Sequence, residues 1–290
     1  MKKGIIGLGI LILMSIGFFY FSKKGKTIKN TALTYVTNTS FINENGTTVK
    51  QRILLPSNFK RTSYNSNSFS DYIQNYNLKP FGTQVINYDG NPYLYQEGHV
   101  GVLELPVPSN GLQQCADALI RMRAEYLWET NQKEKIGFNF TSGHYCSWKK
   151  YAEGYRPKIK GNKVTFYKTA SANASKENFY KYLNLIFMYS GTQSLYSELP
   201  KINSIAKVEI GDMLIYPGSP GHVIMVVDKA TNSEGENLFI FAQGNTPAQS
   251  VHIIKNPSDL SLSPWFQVEI GEYVEIPTYY FNEAKFIRFK

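Results

Sequence analysis

Apolar side chains recur every three or four residues in two long segments of the chain. This period predicts an amphipathic helix over Leu112–Trp128 and a second one over Lys176–Tyr189. A shorter helix is predicted over Ser68–Tyr76, because Pro80 stops any longer one. The predicted helices therefore lie in the first two-thirds of the chain.

The apolar period changes from 3.6 to 2 near residue 213, which indicates strands. Short turns rich in Gly, Pro, Asn and Ser separate three of these strands, so the pattern predicts an antiparallel meander. Its strands are predicted to be Met213–Pro217, His222–Ala230 and Asn237–Gly244. Other predicted strands are His99–Pro106, Val251–Ile254 and Thr278–Phe289. Helices followed by a meander are typical of an α+β domain.

The N-terminus holds an uncharged, mostly apolar stretch at residues 4–22, preceded by two lysines. At a rise of about 1.5 Å per residue this stretch nearly spans a hydrocarbon core of about 30 Å, and no small-residue cleavage site follows it. We predict a signal anchor over residues 1–26, with a cleaved secretory signal as the alternative. Residues 27–50 are predicted to be a tether. Residues 51–290 are predicted to form an exported domain in the cell envelope, on the periplasmic or extracellular side of the membrane.

The chain carries a formal charge of +9, and an excess of positive charge is typical of nucleic-acid-binding proteins. Six lysines lie in residues 1–30, so the rest of the chain has 25 of the 31 Lys and Arg side chains against all 22 Asp and Glu side chains, a net +3. DNA-binding domains concentrate much more charge, so no nucleic-acid partner is expected. The sequence also lacks a glycine-rich phosphate loop and a closely spaced cysteine pair. We therefore expect no nucleotide, metal or other cofactor.

The chain has two cysteines, Cys115 in the long predicted helix and Cys146. A thiolate is a strong nucleophile, and a helix N-terminus or a neighbouring imidazole favours its formation. His222 opens a predicted strand directly after a Gly-Ser-Pro-Gly turn, so it can project from the sheet edge toward that helix. Cys115 and His222 are therefore candidates for nucleophilic catalysis. A disulfide between the two cysteines, or a Cys115 thiol buried in the core, is the alternative.

The predicted hairpin also places a third group beside His222. If Ala230 lies opposite Asn237, then His222 lies opposite Asn245, and Gln243 occupies the same face one diagonal step away. An amide next to an imidazole can fix its tautomer. Gln243 and Asn245 are therefore both candidates for orienting the ring.

Other side chains near Cys115 are predicted to serve the same site. Gln113 or Gln114 can donate a hydrogen bond to an oxyanion. Asn110 as the helix N-cap would put Cys115 in the second turn, where the helix dipole contributes little. The residues predicted to contact a substrate are Asp117, Arg123, His252 and Trp265.

Several short motifs together resemble the bacterial family known as domain of unknown function 4846, found in envelope proteins. They span roughly residues 55–289, and the family itself implies no activity. The motifs are Leu112-Gln113-Gln114-Cys115-Ala116-Asp117-Ala118, Arg121-x-Arg123-Ala124-Glu125-Tyr126-Leu127, Gly211-Asp212, Pro220-Gly221-His222, Ala242-Gln243-Gly244, Pro247-Ala248-Gln249 and Ser263-Pro264-Trp265.

The chain is also similar, more weakly, to papain-like enzymes, above all the NlpC-type and CHAP-type cell-wall amidases and peptidases. Their core has a cysteine at a helix start, then Gly-Asp, a strand, a turn, a histidine and a polar third residue. The resemblance maps these onto Cys115, Gly211-Asp212, His222 and Gln243 or Asn245. It implies a papain-like α+β domain over residues 51–290. It also implies a thiol hydrolase of peptide or γ-glutamyl amide bonds, with a peptide-like or cell-wall substrate such as peptidoglycan.

The alternative is a catalytically inactive binding module on the same fold. A Cys115–Cys146 disulfide would then remove the nucleophile, and aromatic side chains would line the binding groove. The aromatic residues proposed for this groove are Tyr93, Tyr95, Tyr155 and Trp265. Nothing in the sequence indicates an oligomeric state.

Overall fold

The computed structural model describes residues 40–290, which contain both classes of element that the apolar periods predict. The helices are α1 (Val49–Arg52), α2 (Phe69–Gln74), α3 (Cys115–Glu129), α4 (Trp148–Ala152), α5 (Lys176–Tyr189) and α6 (Thr192–Glu198). The strands are β1 (Lys60–Arg61), β2 (His99–Val102), β3 (Gly137–Asn139), β4 (Tyr145–Ser147), β5 (Tyr155–Lys160), β6 (Lys163–Lys168), β7 (Lys201–Ile202), β8 (Met213–Tyr216), β9 (His222–Thr231), β10 (Asn237–Gln243), β11 (His252–Ile254), β12 (Val274–Ile276), β13 (Tyr279–Phe281) and β14 (Phe286–Ile287). The α+β prediction is confirmed.

Eight strands form one antiparallel sheet, in the order β2-β11-β10-β9-β8-β14-β7, with β1 pairing on β9. The predicted meander is the middle of this sheet, since β8, β9 and β10 are consecutive neighbours. Strand β9 is the longest, and all its residues except Thr231 are buried. Its apolar run at residues 223–227 suits a strand that is covered on both faces.

Helix α3 packs against β9 and β10. Its predicted start at Leu112 was wrong, since the helix begins at Cys115. The Asp117 carboxylate accepts a hydrogen bond of 3.0 Å from the Gln114 backbone N–H and so closes the first turn there. The Asn110 side chain instead accepts from the Leu112 backbone N–H, which folds the preceding residues into a turn.

Other predicted elements are confirmed or are interrupted where the chain bends. The helix predicted over Lys176–Tyr189 is confirmed as α5. The strand predicted over His99–Pro106 ends earlier, at Val102. One strand over Thr278–Phe289 was wrong, because a bend at residues 282–283 divides it into β13 and β14.

The residues just before the predicted domain boundary at 51 are part of the packed domain. Ile42 bridges to Ile53, and Val49 is fully buried. The predicted anchor and most of the predicted tether lie outside the described residues. Within residues 40–290, no helix combines the length and the apolar character needed to cross a membrane.

Helices α4 and α5, which follow α3 in the chain, pack beside it. Trp128, at the end of α3, contacts Trp148 of α4 and Phe179 of α5, with ring centroids 5.6 and 4.6 Å apart. Phe179 lies in the first turn of α5, whereas Asn184, further along α5, accepts a hydrogen bond from Asn110, just before α3, so the two helices run antiparallel. The C-terminal end of α5 therefore lies near the start of α3.

A buried ion pair ties the first residues of the domain to the sheet. The Asp228 carboxylate of β9 is fully buried and accepts hydrogen bonds from Arg61 Nε at 2.7 Å and from Gln74 Nε2 at 2.8 Å. Burial raises the pKa of Asp228, and Arg61 acts in the opposite direction. Arg61 therefore offsets the cost of burying this charge.

We expect Arg61→Met to destabilise the domain by about 3–5 kcal/mol, because it leaves the buried Asp228 carboxylate without its counter-charge. Urea unfolding at neutral pH measures the loss. Lys60→Met is the matched control, since Lys60 is the exposed neighbour on the same strand. Equal stability of the two variants would contradict a stabilising role for this ion pair.

Candidate functional site

A cleft of about 830 Å³ lies where several parts of the fold meet. It is bounded by the start of α3, the junction of α5 and α6, the turn before β9, the segment after β10 and one residue of β13. Lining residues include Cys115, Asp117, Thr192, His222, Asn245 and Tyr279. The predicted nucleophile and the predicted base therefore line the same cleft.

Cys115 is the first residue of α3 rather than a second-turn residue. The backbone N–H groups of the first turn have no partner within the helix, and they form the positive end of its dipole. The residue is 7% exposed, so only a small part of its surface reaches the cleft. This position favours negative charge on the sulfur and on a substrate oxygen bound beside it.

The Cys115 thiol is nevertheless protonated at neutral pH. Burial raises its pKa to about 11, the Asp117 carboxylate adds to the rise, and backbone N–H groups, including that of Val223, offset part of it. Burial also lowers the pKa of His222, while its hydrogen bond with Gln243 acts in the opposite direction. The resting pair is therefore a neutral thiol and a neutral imidazole.

Gly244 lets the end of β10 approach α3 closely. A Cβ atom at this position would lie 3.2 Å from the Ala118 Cβ atom and 3.3 Å from the Gln114 carbonyl oxygen. Both contacts are tighter than usual, so any side chain here would push the sheet and the helix apart. The segment that carries Gln243 is thereby held against the start of the helix that carries Cys115.

His222 is oriented by a hydrogen bond of 2.7 Å between its Nε2 atom and Gln243 Oε1. The two residues are 3% and 1% exposed. The Nδ1 atom of His222 has no hydrogen-bond partner within residues 40–290, and it is not among the side-chain atoms fully sealed from solvent. The Tyr279 ring packs against the imidazole, with ring centroids 4.8 Å apart. The ring is thus held by Nε2, and Nδ1 is left for a proton transfer.

Gln243 reaches this position through a register that differs from the predicted one. Ala230 lies opposite Leu238, so its predicted pairing with Asn237 was wrong. A β-bulge between Ile240 and Phe241 then shifts the register by one residue. The shift restores the predicted placement of Gln243 diagonally across from His222.

Of the two predicted amide partners of His222, Gln243 makes the contact. Asn245 lines the cleft, but its side-chain oxygen accepts a hydrogen bond of 2.8 Å from the Thr246 backbone N–H. The alternative prediction, in which Asn245 orients the His222 ring, is therefore corrected: Gln243 holds that position.

The two predicted oxyanion donors are placed differently. Gln113 is fully buried, and its side chain contacts Arg121 Nη1 at 2.6 Å and the Pro106 carbonyl at 3.4 Å. It therefore does not reach the cleft, which corrects its prediction as an oxyanion donor. Gln114 lines the cleft, and its Oε1 atom accepts from Thr246 Oγ1 at 3.0 Å. Within residues 40–290, the Gln114 Nε2 atom donates no hydrogen bond to the protein. Gln114 can therefore donate to a bound oxygen.

The chain matches the family model described as Domain of unknown function (4846) over residues 49–288, which is most of its length. The chain belongs to this family. No curated protein and no solved structure has a significant match. Membership of the family of domain of unknown function 4846 confirms the first resemblance, and the family description names no activity.

Three residues that were predicted to contact a substrate do not line the cleft of this family member. Arg123 Nη2 donates to the Lys290 carbonyl at 2.6 Å, and the fully buried Trp265 donates from Nε1 to the Leu54 carbonyl at 2.8 Å. His252 is 3% exposed and lies inside the sheet. Local sequence did not reveal these placements, because Arg123 and Trp265 bond to backbone carbonyls of segments that are distant in the chain.

The features proposed for the binding-module alternative are absent from the cleft. Cys115 and Cys146 are both free and buried, with no disulfide between them. Tyr93, Tyr95 and Tyr155 are not among the cleft's lining residues.

In the part of the chain from 40 to 290, no group of three or more His, Cys, Asp or Glu side chains is arranged to hold a metal ion.

Sequence reasoning missed Tyr279 and the residues at the junction of α5 and α6. Thr192 Oγ1 contacts the Gly218 carbonyl at 3.3 Å, and a Cβ atom at Gly221 would lie 2.3 Å from that hydroxyl. The glycine therefore lets the turn before His222 approach α6. No local pattern predicts these contacts, because they join segments that lie far apart in the chain.

Asp117 lines the cleft, and it also shapes the start of α3. Its Oδ2 atom accepts the hydrogen bond from the Gln114 backbone N–H, and its buried Oδ1 atom has no partner within residues 40–290. Burial raises the pKa of Asp117 to about 7. Near neutral pH the carboxylate thus switches between charged and neutral forms beside the Cys115 thiol.

We expect Asp117→Asn to make Cys115 react several-fold faster with iodoacetamide at pH 8, because removal of the negative charge lowers the pKa of the thiol. At pH 6 the carboxyl group is mostly protonated, so variant and wild type should react alike. Cysteine-specific mass mapping follows the rates. Glu134→Gln, an exposed change outside the cleft, is the control, and a pH-independent effect of Asp117→Asn would contradict the electrostatic explanation.

Proposed function

We propose that this domain is a thiol hydrolase of the cell envelope, with a papain-like arrangement of Cys115, His222 and Gln243. The bonds it cleaves are peptide or γ-glutamyl amides, such as those in peptidoglycan. The observation that carries the proposal is the His222–Gln243 hydrogen bond of 2.7 Å in the wall of the cleft that Cys115 also lines. The envelope location depends on the apolar N-terminal sequence, and the cell-wall substrate on the papain-like resemblance.

The chemistry begins with a neutral pair. The proton of the Cys115 thiol moves to His222 Nδ1 while Sγ forms a bond to the substrate carbonyl carbon. Direct general-base transfer is required, because burial keeps the thiol protonated and the imidazole neutral before substrate binds. Gln243 Oε1 accepts from His222 Nε2–H and stabilises the imidazolium that forms.

Hydrogen-bond donors at the start of α3 stabilise the negative charge that develops on the substrate oxygen. These are the Cys115 backbone N–H and Gln114 Nε2, aided by the helix dipole. Breakdown of the tetrahedral intermediate breaks the C–N bond, and the proton on His222 Nδ1 passes to the leaving amine. Water then attacks the thioester, gives its proton to His222, and releases the acid. The proton returns to Sγ, so atoms and charges balance over the cycle.

A panel of amides tests this proposal. We expect the domain to release p-nitroaniline from a γ-glutamyl or a peptidyl p-nitroanilide, or to create new amino termini in purified peptidoglycan fragments. Chromatography with mass spectrometry identifies the cleaved bond. Failure with every member of the panel, together with no acylation of Cys115, would contradict hydrolysis.

Binding without hydrolysis is the second candidate, and one observation favours it. A thiol with a pKa of about 11 beside a carboxylate is a weak nucleophile unless substrate changes its surroundings. In that case the amides of the panel bind without product formation, and Cys115→Ala binds them as tightly as wild type. Equilibrium binding to both proteins separates the two functions.

A further inference from the structure

Behind the pair of His222 and Gln243 lies a second buried histidine, His252 of β11. Gln243 Nε2 lies 3.3 Å from His252 Nε2, and His252 Nδ1 lies 2.9 Å from the Ser250 carbonyl oxygen. The three side chains are each at least 97% buried. They form a continuous hydrogen-bonded series from a backbone carbonyl to the ring that faces the cleft.

The Ser250 carbonyl fixes the proton positions along this series. A carbonyl oxygen only accepts hydrogen bonds, so His252 Nδ1 must carry a proton. Burial lowers the pKa of His252 to about 4, so the ring is neutral near pH 7 and its Nε2 atom is an acceptor. Gln243 must then present its NH₂ group to His252 and its oxygen to His222. That oxygen accepts from His222 Nε2–H, which leaves the Nδ1 lone pair free.

We infer that His252 is a positioning residue, which acts through Gln243 to hold His222 in the tautomer that presents an unprotonated Nδ1 atom to Cys115. This inference rests on the proposed function, since it assigns a role to a residue of the same site. It replaces the substrate-contact role that the sequence predicted for His252. A glutamine side chain can rotate its amide by half a turn at little cost, and His252 removes that freedom.

The reversed amide orientation is excluded by the groups that surround His252. It would place Gln243 Oε1 against His252 Nε2, which would then also need a proton, and the ring would become an imidazolium. Burial disfavours that charge and is the largest cause of the low pKa of His252. A charge on His99, whose ring centroid lies 5.9 Å away, or on His222 would disfavour it further.

Nitrogen NMR of the full domain labelled at histidine tests the inference without any substrate. At pH 7.5 we expect His222 to carry its proton on Nε2 and His252 on Nδ1. In His252→Gln we expect His222 to become a mixture of both tautomers. His144→Gln is the matched control, since the His144 ring contacts Ser142 instead. A wild-type His222 protonated on Nδ1, or a tautomer unchanged by His252→Gln, would overturn the inference.

Gln243→Glu gives a second readout that does not need His252 to be replaced. A carboxylate accepts from both rings, so we expect the NMR titration midpoint of His252 to rise above its wild-type value. No rise would count against the contact. In hydrolysis, His252→Gln should lower kcat at least about 10-fold with KM unchanged, as expected for a base in the wrong tautomer. If the tautomers are as expected but the protein hydrolyses no substrate, the proposed function is rejected and the role of His252 is kept. If the protein hydrolyses a substrate but the His222 tautomer does not respond to His252→Gln, only the role of His252 is rejected.

Discussion

Replacing Cys115 by alanine is expected to lower kcat/KM for the cleaved amide by about 10⁶-fold, the scale of loss that follows removal of a catalytic nucleophile. The reason is that the reaction then has no atom to form the thioester, while the cleft and the oxyanion donors remain. The change removes one sulfur atom at the first residue of α3, so the fold should persist. Initial rates with the substrate found in the panel measure the loss, and thermal unfolding checks the fold.

Cys146→Ala is the control for this variant. Cys146 is also a buried free cysteine, but it lies on β4 and not in the cleft. Its replacement leaves a small cavity and should cost some stability without changing kcat/KM. If Cys115→Ala kept the wild-type rate, or if Cys146→Ala lost it, the assignment of the nucleophile would be wrong.

The second large effect is expected for His222→Ala, which should cost nearly as much as the loss of the thiol. A thiol with a pKa of about 11 needs the base to take its proton during the attack. Residues that act as one unit are not additive, so the double variant Cys115→Ala/His222→Ala should be no slower than either single variant. kcat/KM values for the three proteins on one substrate test this.

His144→Ala is the matched control for the histidine, because its ring contacts Ser142 outside the cleft. It should keep the wild-type rate. Losses that multiply in the double variant would show that the two residues act independently. That result would contradict a proton transfer between them.

The partner of His222 was one of the two amides that the sequence predicted, although the predicted pairing at the hairpin turn was wrong. The turn shifts the pairing of β9 and β10 by one residue, and Val227, the extra residue of the bulge, shifts it back before Gln243. Side-chain parity is therefore the same at the cleft end of the strands. A bulge inside a continuous apolar run leaves no pattern that reveals it, since every residue there is buried.

The errors in the predicted site have a common cause. Gln113 accepts a hydrogen bond from Arg121, and Trp265 donates one to the Leu54 carbonyl. Both contacts depend on how distant segments pack. The local pattern of apolar and polar residues does not predict such contacts. The start of α3 was predicted too early because Asn is a favoured N-cap residue, which pointed to Asn110. The N-cap is Gln114 instead, and Asp117 closes the first turn by accepting from its backbone N–H.

The central claim is that the Cys115 sulfur is a nucleophile served by His222. Reaction with p-nitrophenyl acetate tests this most directly, because the activated ester needs no specific substrate pocket. The account predicts a burst of one nitrophenolate per chain and an acetyl group mapped to Cys115 by mass spectrometry, with the burst rate lost in His222→Ala. Acetylation of Cys146 instead, or a Cys115 burst that is equally fast in His222→Ala, would contradict it.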